Sequence, residues 1–254
     1  MVGFRLLVSQ MSRHYFSAED LSGDSITLNG HYVHHLQNVL RIKPGYRAIL
    51  CCGDRIDYTC VFDSFEPLQK ANKAHFKIIC SSPNVTEPQF KVTLYQSILK
   101  HDKLELVIQK AVELGVYEIF PTITERCIPR PNKLNNKIER MQKISESAAM
   151  QSGRGLIPVV HQPIPFDSAL VTKPSNSLWL LANEAAATSL KQINKPSTST
   201  QVGLWIGPEG SFSAAEIEKL ESVGAVSFSM GARILRAETA AIVGLSQIYC
   251  LWEM

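Results

Sequence analysis

Two stretches of this 254-residue chain combine residue types that could build a ligand site. The first is Gly207-Pro208-Glu209-Gly210, which follows the apolar run Val202–Ile206. That run reads as a buried strand. Ser213 then stands three residues before Glu216, the spacing of a capping box, so a helix is expected to start there. Ile217, Leu220 and Val223 would form its inner face and Gly224 its stop. A strand, a glycine loop and a capped helix in succession make a cradle. Glycines let a ligand reach the main chain, and the helix start offers unpaired N–H groups. Alone, a Gly-Pro tetrapeptide is more often a plain turn. The second stretch is Met230–Ala241, where Arg233, Arg236 and Glu238 stand beside apolar residues. Either Glu238 and Thr239 decorate the start of the last helix, where an acid is favoured, or the loop is a second pocket wall. The residues leave both readings open.

Both stretches need a scaffold, and the pattern from Phe90 onward supplies one. Val92–Ile98, Tyr117–Ile123, Leu156–Val160, Leu178–Ala182, Val202–Ile206 and Val226–Met230 read as short strands with helices between several of them. Asp102, with Glu105 three residues on, starts a helix that Gly115 ends. Leu134, Ile138, Met141, Ile144 and Ala148 fit helical spacing. Thr239–Leu251 is apolar on nearly every side and is expected to be a buried helix. Alternating strands and helices predict an α/β domain with a mainly parallel sheet covered on both faces. Ligands of such sheets sit at the carboxyl ends of the strands. Three turns follow such ends: Asn183-Glu184, Gly207–Gly210 and Gly231–Arg236.

Residues 12–80 differ. Ser25–Leu28, Arg47–Cys51, Asp57–Phe62 and His75–Cys80 are short apolar runs punctuated by Gly30, Pro44-Gly45 and Gly53-Asp54, the texture of a small β-barrel or sandwich. One helix, His31–Leu40, interrupts them. The polar, proline-bearing stretch from Ser81 to Pro88 reads as a linker. The expected organisation is therefore a small β-domain over 1–80, a linker over 81–88 and an α/β domain over 89–254.

Hydrophobic residues make up 45% of the chain and charged residues 19%, which provides a core and argues against disorder. The formal charge of +3 does not by itself imply nucleic acid. The six cysteines form no CxxC pair and have no histidine at ligand spacing, so no metal site is expected. Reduced thiols fit a cytoplasmic protein. No apolar run is long enough for a membrane span. Met11-Ser12-Arg13 is an alternative start, which would make residues 1–10 an extension. No Walker lysine, no G-x-S-x-G and no G-x-G-x-x-G after the first strand is present, so nucleotide hydrolysis and hydride transfer lose support.

Charge distribution says more. Arg126, Arg130, Lys133, Lys137, Arg140, Lys143 and Arg154 face only Glu139 and Glu146 between residues 126 and 154. Such a run is usually a solvated face, but it also suits phosphate contact. Arg13-His14-Tyr15-Phe16, and His34-His35 through Arg41, mix cations with aromatics as RNA-reading surfaces do. Ordinary core aromatics explain them equally well.

Together these residues resemble one family, the small-subunit (16S) ribosomal RNA uracil-N3 methyltransferases of the SPOUT superfamily. The resemblance rests on Arg13–Phe16, Val39-Leu40-Arg41, Gln109-Lys110 through Gly115, Glu125-Arg126-Cys127, Gln151-Ser152-Gly153-Arg154, Ile206–Gly210, and Ile234-Leu235-Arg236 with Glu238-Thr239-Ala240. The last two at this spacing are the specific part. The family usually has Pro at 232, Thr at 237 and Glu at 150, where this chain has Ala232, Ala237 and Met150. The resemblance implies a PUA-like, RNA-binding β-barrel followed by a SPOUT domain with a C-terminal trefoil knot. It implies S-adenosylmethionine as cofactor, a homodimer, and 16S rRNA as partner within the assembled small subunit. The cofactor would lie against Leu181, Ala182, Asn183 and Glu184, against Ile206, Gly207, Pro208, Glu209 and Gly210, and against Met230, Gly231, Ile234, Leu235, Arg236, Thr239 and Ala240. A side chain at Gly210 would then block main-chain approach. Arg236 is expected as the cation that stabilises the uracil anion and Glu238 as a base, while N-terminal capping of the last helix explains Glu238 at least as well. Arg13, Arg41, Arg126 and Arg154 are expected to contact rRNA.

Overall fold

The computed structural model describes residues 11–67, 72–100, 102–128, 137–197 and 201–253. The extension expected at residues 1–10, together with Arg130, Lys133 and Leu134, lies outside them. The chain divides into two units, Met1–Glu87 with Ala149–Ile157 and Pro88–Ala148 with Pro158–Met254.

In the first unit, strands β1 (Ser12–Tyr15), β2 (Leu21–Ser22), β3 (Ser25–Leu28), β4 (Arg47–Cys51), β5 (Ile56–Pro67) and β6 (Asn72–Pro83) form one sheet in the order β1-β4-β5-β6-β3-β2. β1 runs parallel to β4 and every other pair is antiparallel. Strand alternation buries Ile26, Leu28, Ala48, Leu50, Cys60, Phe62 and Phe76 in a common core. Val33 and Leu36 join it from helix α1 (His31–His34) and the π-helical turn His35–Val39 that extends it.

The boundary of this unit departs from the expected linker in two ways. First, Ser81, Ser82 and Pro83 continue β6, pairing with Tyr58, Asp57 and Ile56. Polar composition does not end a strand whose neighbour still offers hydrogen-bond partners. Second, residues 149–157 belong here. Glu87 Oε1 accepts hydrogen bonds from the main-chain N–H of Gly155 (2.8 Å) and Leu156 (3.3 Å). Thr86 Oγ1 donates to the carbonyl of Gly153 (2.7 Å) and Tyr15 Oη to that of Arg154 (2.8 Å).

The second unit is a parallel sheet. Strands β7 (Val92–Ser97), β8 (Glu118–Ile123), β10 (Ile164–Pro165), β11 (Ser177–Ala182), β12 (Gln201–Ile206) and β13 (Ala225–Phe228) lie in the order β10-β8-β7-β12-β11-β13, with β9 (Val159–Val160) also on β8. Every pairing is parallel. Helix α2 (Lys103–Leu114) ends at Gly115, whose φ of 108° is left-handed. Helices α3 (Ile138–Ser152), α4 (Phe166–Leu170), α5 (Ala214–Ser222) and α6 (Ala237–Trp252) follow. The capping box at α5 forms reciprocally: Ser213 Oγ accepts from the N–H of Glu216, and the Glu216 carboxylate from that of Ser213. Leu220 is buried as expected, but Val223 is 37% exposed because it sits at the C-cap, where the helix stops presenting an inner face.

Aromatic rings pack closely along β12. Trp205 stacks on Tyr95 with ring centroids 4.4 Å apart and planes 5° from parallel. A Cβ on Gly203 would lie 2.5 Å from Trp179 Cδ1, so the indole occupies the space that any other residue would need. Helix α6 is apolar almost throughout, yet it buries chiefly Ala237, Ala240, Ala241, Gly244, Leu245, Ile248 and Trp252. Ile242, Val243 and Tyr249, on the rest of its surface, are only half-buried.

Candidate cofactor and active site

The three turns after β11, β12 and β13 converge on one pocket of about 360 Å³, a size suited to a cofactor-scale ligand. Of the residues assigned to it from sequence, Ala182, Asn183, Glu184, Ile206, Gly207, Pro208, Glu209, Met230, Gly231, Ile234, Leu235, Arg236 and Ala240 line it. Leu181 is fully buried in the aromatic core beneath. Thr239 is exposed and outside the lining, as is Gly210. A Cβ on Gly210 would meet only Arg126 Cβ and Cδ at 3.5 and 3.6 Å, ordinary contacts with a flexible side chain. The expectation that a side chain there blocks the ligand therefore does not fit the geometry.

Two other glycines are constrained instead. A Cβ on Gly207 would lie 3.1 Å from both the main-chain N and Cδ2 of Phe212, so a side chain there would force the turn after β12 to shift by a few tenths of an ångström. Gly231 has φ of 117° and nothing within 4 Å of its Cβ direction, so its main chain borders open space in a conformation glycine favours. The walls mix apolar Ile206, Leu235 and Ala240 with polar Asn183, Glu184 and Ser211. An adenine-like ring against apolar side chains, with its polar edge and a charged tail met by main-chain and polar groups, suits this mixture.

Sequence reasoning missed Lys103, Ser211, Ser229, Arg233 and Ala237 in the lining. Lys103 matters most. Its Nζ lies 3.3 Å from Glu238 Oε1 and 3.7 Å from Glu209 Oε1. One ammonium thus joins the turn after β12 to the first turn of α6. Glu209 Oε1 also accepts the main-chain N–H of Lys100 at 3.1 Å. Burial works against the Glu209 charge, but main-chain hydrogen bonds, together with Lys103 and Lys100, hold its carboxyl below the usual range. Glu238 Oε2 is buried with no hydrogen-bond partner among the described residues, and Glu238 is not part of the lining. A signal for Lys103 existed. It is the first residue of α2, where the helix dipole disfavours a cation, and it follows the end of a central strand.

The arginines expected at rRNA separate into two kinds. Arg13 makes a two-pronged ion pair with Asp57, Nη1–Oδ1 and Nη2–Oδ2 both 2.8 Å, and its side chain is 8% exposed. Arg154 is paired with Glu87 through Nε–Oε1 at 3.0 Å and Nη2–Oε2 at 2.8 Å, and its side chain is 3% exposed. Both are spent inside the first unit and present no cation to a ligand, because each guanidinium already matches a carboxylate fork. His14 and Tyr15 are buried as well, so the Arg13–Phe16 motif is largely structural. Arg41 is exposed, as are His34 and His35. Arg126 is exposed, and its Nη1 donates to the carbonyl of Gly210 at 2.8 Å. Part of the basic 126–154 stretch is also paired, with Arg140 Nη2 2.6 Å from Glu105 Oε2.

Among the described residues, no group of three or more His, Cys, Asp or Glu is placed to hold a metal ion, and no helix is long and apolar enough to cross a membrane.

A parallel α/β sheet with a glycine-lined pocket at its strand ends defines a nucleotide- or cofactor-binding enzyme class, and the chain matches the RNA methyltransferase domain family over residues 86–249. It is 35% identical over 245 residues to ribosomal RNA small subunit methyltransferase E of Mesomycoplasma hyopneumoniae, covering 96% of this chain and 98% of that protein. The crystal structure of ribosomal RNA small subunit methyltransferase E from Neisseria gonorrhoeae bound to S-adenosyl methionine is similar, with a TM-score of 0.83 and 32% identity, covering 96% of this chain and 98% of that one. A methyltransferase from Legionella pneumophila, solved with the bound cofactor SAM, has a TM-score of 0.80 and 32% identity, covering 95% and 98%. The chain belongs to the ribosomal RNA small subunit methyltransferase E family.

Proposed function

We propose that this protein methylates N3 of a uridine in the decoding region of small-subunit (16S) ribosomal RNA, with S-adenosylmethionine in the pocket between the turns after β11, β12 and β13. The observation that carries the reading is that pocket, at the carboxyl ends of a parallel sheet, in a chain 32% identical to a relative crystallised with S-adenosyl methionine. When bound, S-adenosylmethionine supplies an electrophilic methyl group on a sulfonium. The chain's own residues do the rest. Gly207 and Gly231 bring bare main chain to the ligand, and Ile206, Leu235 and Ala240 keep water from its ring. Water exclusion and alignment are the main requirements of an in-line displacement. N3 lies on the pairing edge of uracil, so the base must enter unpaired.

The six-stranded sheet of the first unit supports a PUA-like, RNA-binding barrel. Its long β5–β6 pair has register shifts between Thr59 and Cys60 and between Phe62 and Ser64, and such irregularities let a sheet curl. Of the four arginines expected at rRNA, Arg41 and Arg126 are the exposed ones and are offered to phosphate. The half-buried apolar side chains of α6 favour a homodimer, since a helix of this composition is ordinarily covered. A trefoil knot formed by the C-terminal segment, action on the assembled small subunit, and a cytoplasmic location complete the reading.

The test is incubation with labelled S-adenosylmethionine and small ribosomal subunits lacking the modification, followed by nucleoside mapping. N3-methyluridine at one position is expected. Label on another atom, or cofactor binding without transfer, would overturn it.

A further inference from the structure

We propose that Lys103 is a catalytic residue of this site: its ammonium contacts a carbonyl oxygen of the target base and stabilises the anion that forms as N3 loses its proton. The inference rests on the proposed uridine-N3 chemistry and adds a residue to it.

Methylation at N3 breaks the N3–H and S–C bonds and forms one N3–C bond. The proton passes to water, the pair of the N–H bond becomes the new N–C bond, and the pair of the S–C bond returns to sulfur. While N3 is losing its proton, negative charge spreads over the ring carbonyls O2 and O4 on either side of it. A cation aimed at one of those oxygens lowers the barrier, and it does so most when it is already in place.

Three observations select Lys103. It lines the pocket from the start of α2. It is held there by carboxylates from two different walls, at 3.3 Å from Glu238 and 3.7 Å from Glu209. Both contacts are longer than ordinary hydrogen bonds of about 2.7–3.2 Å, so the ammonium is steered by charge yet keeps N–H donors for a ligand. Glu238, with its inner oxygen buried and unpartnered, acts through Lys103 rather than on the base. Arg236, the cation expected from sequence, is exposed, and its side chain makes no hydrogen bond or ion pair with another described residue. A side chain so placed must be ordered by the substrate itself, whereas Lys103 is ordered beforehand.

The same geometry sets specificity. An ammonium donates and never accepts. Where that oxygen is O4, it complements the carbonyl of uracil and opposes the exocyclic amino group that cytosine carries in its place.

The test compares wild type with Lys103→Met, Lys103→Gln and Lys103→Arg, so that a folding failure of one neutral variant leaves the other. Cofactor affinity is measured by calorimetry, folding by thermal denaturation, and chemistry by single-turnover methylation as a function of pH. The neutral variants are expected to keep cofactor affinity within about threefold and to lose about 10²–10³-fold in single-turnover rate, the usual effect of removing one such donor. Their residual rate should keep rising to higher pH than that of wild type, because N3 must then ionise unaided. Lys103→Arg should recover part of the rate. Equal loss of affinity and rate would overturn the proposal and make Lys103 an anchor for the cofactor carboxylate. A neutral variant with a wild-type rate would overturn it also. If wild type itself forms no N3-methyluridine, the proposed function fails instead, and the two failures are distinct.

Discussion

Replacing Arg154 by Met should damage folding and leave RNA binding largely alone. The guanidinium and the Glu87 carboxylate are 3% and 5% exposed and share two hydrogen bonds. Removing one partner of such a pair leaves an uncompensated buried charge, at a cost of about 3–5 kcal/mol. Here Glu87 keeps the N–H groups of Gly155 and Leu156, so the lower end, about 3 kcal/mol, is expected. At about 2–4 °C per kcal/mol for a chain of this size, Tm should fall by about 6–12 °C. Circular dichroism melting gives that number. Filter binding to the rRNA target across a salt series gives the other half. Arg154→Met should leave the salt slope unchanged, whereas exposed Arg41→Ala and Arg126→Ala should each flatten it by about 0.7 for every phosphate no longer neutralised, with Tm moving by about 2 °C or less. Replacing both partners, as Glu87→Leu with Arg154→Met, should restore part of the stability, because an apolar pair leaves no charge stranded. The reasoning is refuted if Arg154→Met melts like wild type and binds RNA with a flatter salt slope.

The pocket glycines and a first-unit carboxylate give two more expectations. Gly207→Val, which would force its Cβ against the main chain at Phe212, should weaken S-adenosylmethionine binding at least tenfold by calorimetry, whereas Gly210→Ala, facing only Arg126, should change it by less than about threefold. Burial opposes the Asp57 charge, but hydrogen bonds from Arg13 and Asn84 outweigh it and hold its carboxyl below the ordinary 3.8. Because the folded value lies below the unfolded one, this carboxylate stabilises the fold above the unfolded pKa, and the contribution is lost as pH falls through the folded value. Asp57→Asn should therefore lower the urea midpoint near neutrality and flatten its decline below about pH 5; an unchanged decline would count against the ion pair.

What the sequence disclosed depended on whether the signal was local. The α5 capping box needs only Ser213 and Glu216, and the stops at Gly115 and Gly224 need only a left-handed φ, here 108° and 82°. The strands β4, β11 and β12 were readable because each is a nearly continuous apolar run buried on both sides. The pocket walls followed, since ligands of parallel sheets gather at strand ends and three turns there were visible. Lys103 offered only a local hint, a cation in the first turn of α2, because its two carboxylates come from the turn after β12 and from α6, far along the chain. Arg13 and Arg154 were misread for the same reason. A count of charges cannot say whether a guanidinium is already matched, and Asp57 and Glu87 are remote in sequence. The units divide within the expected linker, between Glu87 and Pro88, but its first three residues continue β6, because a polar strand end and a polar loop have the same composition.

The first unit is not a continuous stretch of chain. It takes residues 149–157 back after more than sixty residues have been spent in the second. Any scheme that treats the N-terminal portion as a transferable module therefore meets a topological cost. A fragment ending at residue 87 would carry a buried carboxylate stripped of its guanidinium and of two main-chain donors, and would leave Tyr15 Oη and Thr86 Oγ1 without the carbonyls they now reach. Grafting this unit onto another enzyme would require transplanting two segments in register, so recombination can exchange it only by rebuilding α3 as well. The usual freedom to shuffle an appended recognition domain is much reduced in this architecture.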